Sequence, residues 1–177
     1  MVPATPPRER VAEGAPVRYI NDHRQRERAM ANPVIALVAD HAGLELKNAL
    51  KGLLDERGFE TVDLGPETAE PVDYPDMAAR LAAAIKEGRA EFGVMTCGSG
   101  IGIAIAANRY PWIRAAMCYD VTTSRLAREH NDANVLALGA RLIGWEVARD
   151  CLLTFLNTSS AGGRHARRVA KMSSPQA

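Results

Sequence analysis

Cys97 stands at the head of a glycine-rich run, Cys97-Gly98-Ser99-Gly100-Ile101-Gly102-Ile103. Glycines permit a tight turn whose backbone N–H groups point at one spot, and a helix starting there adds its positive end. Such a nest holds a phosphate or a developing oxyanion, and a thiol beside it is favoured as the thiolate, a base or nucleophile. The plainer reading is a buried cysteine ending a strand, with glycines that serve packing. Asp40-His41, followed by Ala42-Gly43, sets an acid beside an imidazole, a pair suited to sugar hydroxyls or a phosphate; alternatively Asp40 caps a helix. His130-Asn131 offers a proton-transfer imidazole beside an amide, or a histidine that caps a helix C-terminus. Arg141 is joined by Arg164 and Arg168, whose i, i+4 spacing puts them on one face of a helix. Guanidinium groups so arranged suit a phosphate dianion, unless the basic run is a solvated tail. Asp73-Tyr74-Pro75 is either a plain turn before a helix or a lip whose ring covers a small polar ligand.

These side chains need a scaffold that gathers strand ends, and the pattern supplies one. PVIALVAD, FETVDLG, EFGVMTC, IRAAMCYD and NVLALGAR read as strands. Between them lie helical stretches. One carries Leu46, Ala49, Leu50, Leu53 and Leu54 and stops at Gly58; another opens at Pro75, is lined by Met77, Leu81 and Ile85 and stops at Gly88. A helix from about Gly144 to Phe155 is expected to bury Trp145, Ala148, Leu152 and Phe155. Alternation of this kind predicts α/β architecture: a Rossmann-like three-layer α/β/α sandwich around a five-stranded parallel sheet. Ligands of such sheets bind beyond the carboxyl ends of the strands. Asp40 and His41 follow the first strand, Cys97 and Ser99 the third, Asp120 the fourth and Arg141 the fifth.

Composition limits the alternatives. The 177 residues carry 22 Lys+Arg against 21 Asp+Glu, a formal charge of +1, which leaves no compositional case for nucleic acid or an anionic membrane as partner. No apolar run approaches membrane-spanning length, and three scattered cysteines suit neither a disulfide framework nor a zinc cage, so a reducing cytoplasm is the default. Residues 1–32, proline- and arginine-rich, are expected to form a disordered or loosely docked extension; a start at Met30 would remove most of it. Residues 33–177 then form a single domain with a basic C-terminal segment. A dinucleotide-binding reading stays open, because Gly98, Gly100 and Asp120 match part of G-x-G-x-x-G with its later acid; Ile103 and the turn's position after the third strand depart from it.

Taken together, ADHAG (39–43), DYP (73–75), CGSGIGIAIAANR (97–109), REHNDANVLALGAR (128–141) and GGRHARRV (162–169) resemble the ribose-5-phosphate isomerase B family, which includes the galactose-6-phosphate isomerase subunits. The resemblance runs from residue 34 to about 170. It implies a metal-free, cofactor-free aldose–ketose isomerase of phosphorylated sugars, working through a cis-enediolate. Ribose 5-phosphate and ribulose 5-phosphate, within the pentose phosphate pathway, are the default pair. Allose, galactose or tetrose phosphates, or a non-catalytic member acting as a structural partner, are the alternatives within the family, and a nucleotide-binding module the alternative outside it. The resemblance assigns Cys97 as the base, since Ile103 occupies the place where some relatives carry Glu. It assigns His130 to ring opening, Asp40 to protons on the sugar oxygens and Ser99 to supporting proton transfer. Backbone groups of Gly98, Gly100, Ile101 and Gly102 become the oxyanion hole, Asn131 a hydroxyl or enediolate contact, and Tyr74 a ring along the sugar. His41, Arg141, Arg164 and Arg168 become the phosphate grip. It further implies a homodimer or homotetramer with sites at the subunit boundary.

Overall fold

The computed structural model describes residues 32–173. The extension expected over residues 1–32 falls outside them, apart from Asn32. β-branched and small apolar runs form β1 (Ile35–Ala39), β2 (Thr61–Asp63), β3 (Phe92–Cys97), β4 (Ala115–Met117) and β5 (Val135–Gly139). The helices are α1 (Leu44–Glu56), α2 (Tyr74–Lys86), α3 (Ile101–Ala107), α4 (Val121–Asn131), α5 (Trp145–Leu156) and α6 (Gly163–Ser173). All pairings are parallel, as the alternation predicts, and the strands lie in the order β2-β1-β3-β5-β4. The basic segment closing the sequence forms α6.

The period-two alternation of side chains sorts the core into two layers. Ala36, Val38, Met95, Cys97 and Ala137 meet α2 and α3 through Met77, Leu81 and Ile103. Ile35, Leu37, Val94, Leu136 and Leu138 meet α1, α4 and α5 through Leu50, Leu54, Ala127, Leu152 and Phe155. Two expectations need correction. Trp145 is not a core residue: it opens α5 and is 40% exposed, whereas Ala148, Leu152 and Phe155, further along the helix, are buried. Asp40 caps no helix, because Gly43 occupies the N-cap position of α1. Lys47, buried on α1, reaches Asp63 at 2.6 Å and the Pro66 carbonyl at 3.2 Å, tying the loop after β2 to the first helix. Among the described residues no helix is long and apolar enough to cross a membrane.

Candidate active site

The strand order reverses direction between β1 and β3, and the rim there carries the first group of candidate side chains. Asp40 leaves β1 into a tight turn in which the Gly43 N–H donates to Asp40 Oδ1 at 2.9 Å. Thr96, one residue before Cys97, holds that turn. Its hydroxyl donates to the Gly43 carbonyl at 2.8 Å, and its own carbonyl accepts the Asp40 N–H at 3.1 Å. A side chain at Gly43 would stand 2.5 Å from the Thr96 carbonyl carbon, so only glycine lets the acid turn approach the cysteine strand this closely. His41, next in the turn, is exposed.

Cys97 ends β3 and is 4% exposed. Its sulfur accepts the Gly100 N–H at 3.0 Å. Gly100 adopts φ +79, the left-handed conformation that bends the backbone back over the sulfur and starts α3. Ser99 Oγ accepts the Ile101 N–H at 3.2 Å, satisfying one of the open donors at that helix start. Arg141 folds over Gly98: its N–H donates to the Gly98 carbonyl at 3.0 Å, and its Nη1 lies 3.6 Å from where a Gly98 side chain would begin. The Tyr74 ring, 41% exposed, covers Gly102 so closely that a side chain there would stand 2.8 Å from its Cζ. The rim therefore unites Asp40, Cys97, the Gly98–Gly102 amides, Ser99, Tyr74 and Arg141 around one thiol. Burial pushes the other two thiols, Cys118 and Cys151, upward, which keeps them protonated and inert.

The second group lies at the other end of the sheet. A helix following a parallel strand runs back toward the strand starts, so α4 delivers His130 and Asn131 beside the beginning of β5. Cys97 pairs with Gly139, the last residue of β5, four residues beyond Val135, which is roughly 13 Å of strand. At this corner Arg128 donates to Asp132 Oδ1 at 2.9 Å, the Ala133 carbonyl at 2.6 Å and the Thr158 carbonyl at 3.2 Å. Asp132 also receives Arg114 at 3.0 Å. These bonds fix the left-handed Asp132, φ 45, that ends α4. The Ala161 N–H donates to the Glu129 carbonyl at 2.9 Å and leads α6 back onto α4. There His165 stacks on His130 with ring centroids 4.2 Å apart and planes within 3°. Arg164 and Arg168 are exposed on the same helix, as their spacing predicts.

The expected residues thus fall into two groups at opposite ends of the sheet, and His130, Asn131, Arg164 and Arg168 do not meet Cys97 within the chain. Asp120, the acid that the dinucleotide reading needs, spends its carboxylate on the Thr123 N–H at 2.8 Å, capping α4. Sequence reasoning missed Thr96, Arg128 and His165. Thr96 reads as one more strand residue, whereas the pairing of a buried arginine with the acid after α4 is the kind of i, i+4 signal that could have flagged Arg128.

The sequence profile of the Ribose/Galactose Isomerase family matches residues 35–172. Over 135 residues the chain is 42% identical to ribose-5-phosphate isomerase B of Escherichia coli, covering 76% of this chain and 91% of that protein. Over 139 residues it is also 42% identical to the D-erythrulose-4-phosphate isomerase of Pectobacterium atrosepticum, covering 78% and 91%. Among solved structures, ribose-5-phosphate isomerase B of Clostridium thermocellum superposes with a TM-score of 0.78 at 46% identity, over 79% of this chain and 95% of that one.

Proposed function

The chain belongs to the ribose/galactose isomerase family and is a sugar-phosphate isomerase; within that class we propose that it interconverts ribose 5-phosphate and ribulose 5-phosphate with Cys97 as the base. The observation that carries this reading is the Gly100 N–H held 3.0 Å from the Cys97 sulfur in the glycine-rich turn that starts α3.

In this reading the Cys97 thiolate takes the proton from C2 and returns it to C1. The electrons left behind form a cis-enediolate, whose developing oxyanion is met by backbone amides of the Gly98–Gly102 turn, where the Gly100 and Ile101 N–H groups would exchange the Cys97 sulfur and Ser99 Oγ for it. Each well-aimed donor of this kind contributes about 3–4 kcal/mol, because it does not reorganise during the step. Asp40, oriented by the Gly43 N–H, moves the proton between the two sugar oxygens. Near-complete burial of Cys97 keeps bulk water off the base. Tyr74 lies along the carbon chain, and Arg141 with His41 holds the near side of the phosphate.

The remaining functions, ring opening by His130, a hydroxyl contact from Asn131 and the far side of the phosphate grip from Arg164 and Arg168, come from a second copy of the chain. Two features support a homodimer. The half-sites lie at opposite ends of one sheet, and Ile101 and Ile105 project from one face of α3, 49% and 63% exposed, beside the catalytic turn.

Assaying aldose and ketose phosphates of four to six carbons tests the assignment. Ribose 5-phosphate should give the highest kcat/KM, and Cys97→Ala should lose at least about a thousandfold in kcat while still binding inorganic phosphate. Near-normal turnover by Cys97→Ala overturns the base. A four-carbon optimum, the preference named for the Pectobacterium relative, overturns the substrate.

A further inference from the structure

His165 takes no part in the reading above, yet it is the one buried polar residue of α6. A histidine that filled space would need neither a particular plane nor a particular tautomer. His165 has both. Its ring lies parallel to His130 at 4.2 Å, and its Nε2 accepts the Arg164 Nε–H at 3.3 Å. Accepting at Nε2 places the proton of the neutral ring on Nδ1.

We propose that His165 is a positioning residue that serves two partners at once, its ring face aligning His130 and its Nε2 holding the Arg164 side chain. The inference rests on the assignment of His130 to ring opening and of Arg164 to phosphate. It goes beyond that assignment by making the two groups share one support. The surroundings favour the neutral form that both contacts need. Burial, then the nearby His130, Arg164 and Arg168, hold His165 below the usual imidazole range, against an opposing pull from Glu129 of α4. With a neutral ring beneath it, His130 can take up a proton without facing a stacked imidazolium. With a free lone pair at Nε2, Arg164 keeps its donor side fixed while its outer nitrogens remain open to an anion.

The two contacts can be removed one at a time. His165→Phe keeps the flat ring and loses the acceptor. It should raise KM and the inhibition constant of inorganic phosphate about fivefold or more, with kcat within about twofold of the parent. His165→Gln keeps an acceptor and loses the ring. It should lower kcat about tenfold with KM little changed. Equal losses in both parameters from both variants, or parent-like kinetics from both folded proteins, overturn the proposal. The nitrogen resonances of His165 in the unmodified protein give a reading independent of folding: protonated Nδ1 with bare Nε2 near neutral pH is expected, and protonated Nε2 overturns it. His130→Ala separates the two levels. If that change leaves turnover intact, the ring-opening role fails, and the phosphate inhibition of His165→Phe still reports on the Arg164 contact.

Discussion

Replacing Gly102 with alanine should push stability and turnover in opposite directions. The new methyl group would start 2.8 Å from Tyr74 Cζ, 3.0 Å from Cε2 and 3.2 Å from the hydroxyl. Ordinary carbon contacts lie near 3.5–4.0 Å, so the ring must retreat by about 0.7–1.2 Å. It has room to do so, being 41% exposed, and the fold therefore bears little strain. Alanine is the better helix former by up to about 1 kcal/mol, so the melting temperature should hold or rise by a few degrees. The backbone N–H at position 102 is unchanged, so the proposed oxyanion cradle survives. What changes is the surface along which the sugar lies in the proposed reading. A displacement of that size at a reacting centre costs about tenfold to a hundredfold in kcat/KM, or about 1.4–2.7 kcal/mol. Steady-state kinetics of Gly102→Ala, Tyr74→Ala and the double variant read the coupling directly. In the Tyr74→Ala background the added methyl should cost almost nothing. If it costs as much there as in the parent protein, the loss passes through the backbone and the reasoning about the ring is refuted.

Other outcomes follow from the same geometry. Mixing Cys97→Ala with His130→Ala under conditions that exchange subunits should restore about a quarter of the parent's sites, since half the pairs carry one intact composite site; activity that never returns at any ratio would mean that each chain works alone. Gly43→Ala drives a methyl group into the Thr96 backbone, which cannot step aside, and should cost about 3 kcal/mol, read as a fall of roughly 10 °C in melting temperature. The depressed His165 adds a pH term to stability. Between its lowered folded value and the ordinary one near 6.5, the unfolded chain binds the proton that the folded chain refuses, so stability is full above that ordinary value and drains away as the pH falls below it. Urea melts from about pH 8 to 5 should show that decline, and His165→Phe should flatten it.

Much of the rim was legible because glycine is informative. The glycines of the Cys97 turn announce backbone that must bend or be approached, and Gly100 at φ +79 and Gly102 under the Tyr74 ring meet that expectation. The parallel sheet was legible because five short apolar runs alternated with helical ones. His165 was hidden for the opposite reason. It sits among Arg164, Arg167 and Arg168, and a run of that kind reads as solvated until the helix is seen to turn one side chain inward. Trp145 misled because hydrophobicity says that a side chain would gain from burial, whereas position decides whether a neighbour is there to bury it. The separation of His130 from Cys97 depends on strand order and helix direction, which residue types alone do not encode.

Thr96 and Cys97 are chain neighbours that look opposite ways. The hydroxyl of one secures the acid's turn against the layer containing α1, and the sulfur of the other belongs with α2 and α3. In the proposed reading the base therefore shares a layer with the tyrosine lip, while the acid's turn is anchored in the other. A single extended backbone then ties the two proton-handling groups together across the thickness of the sheet.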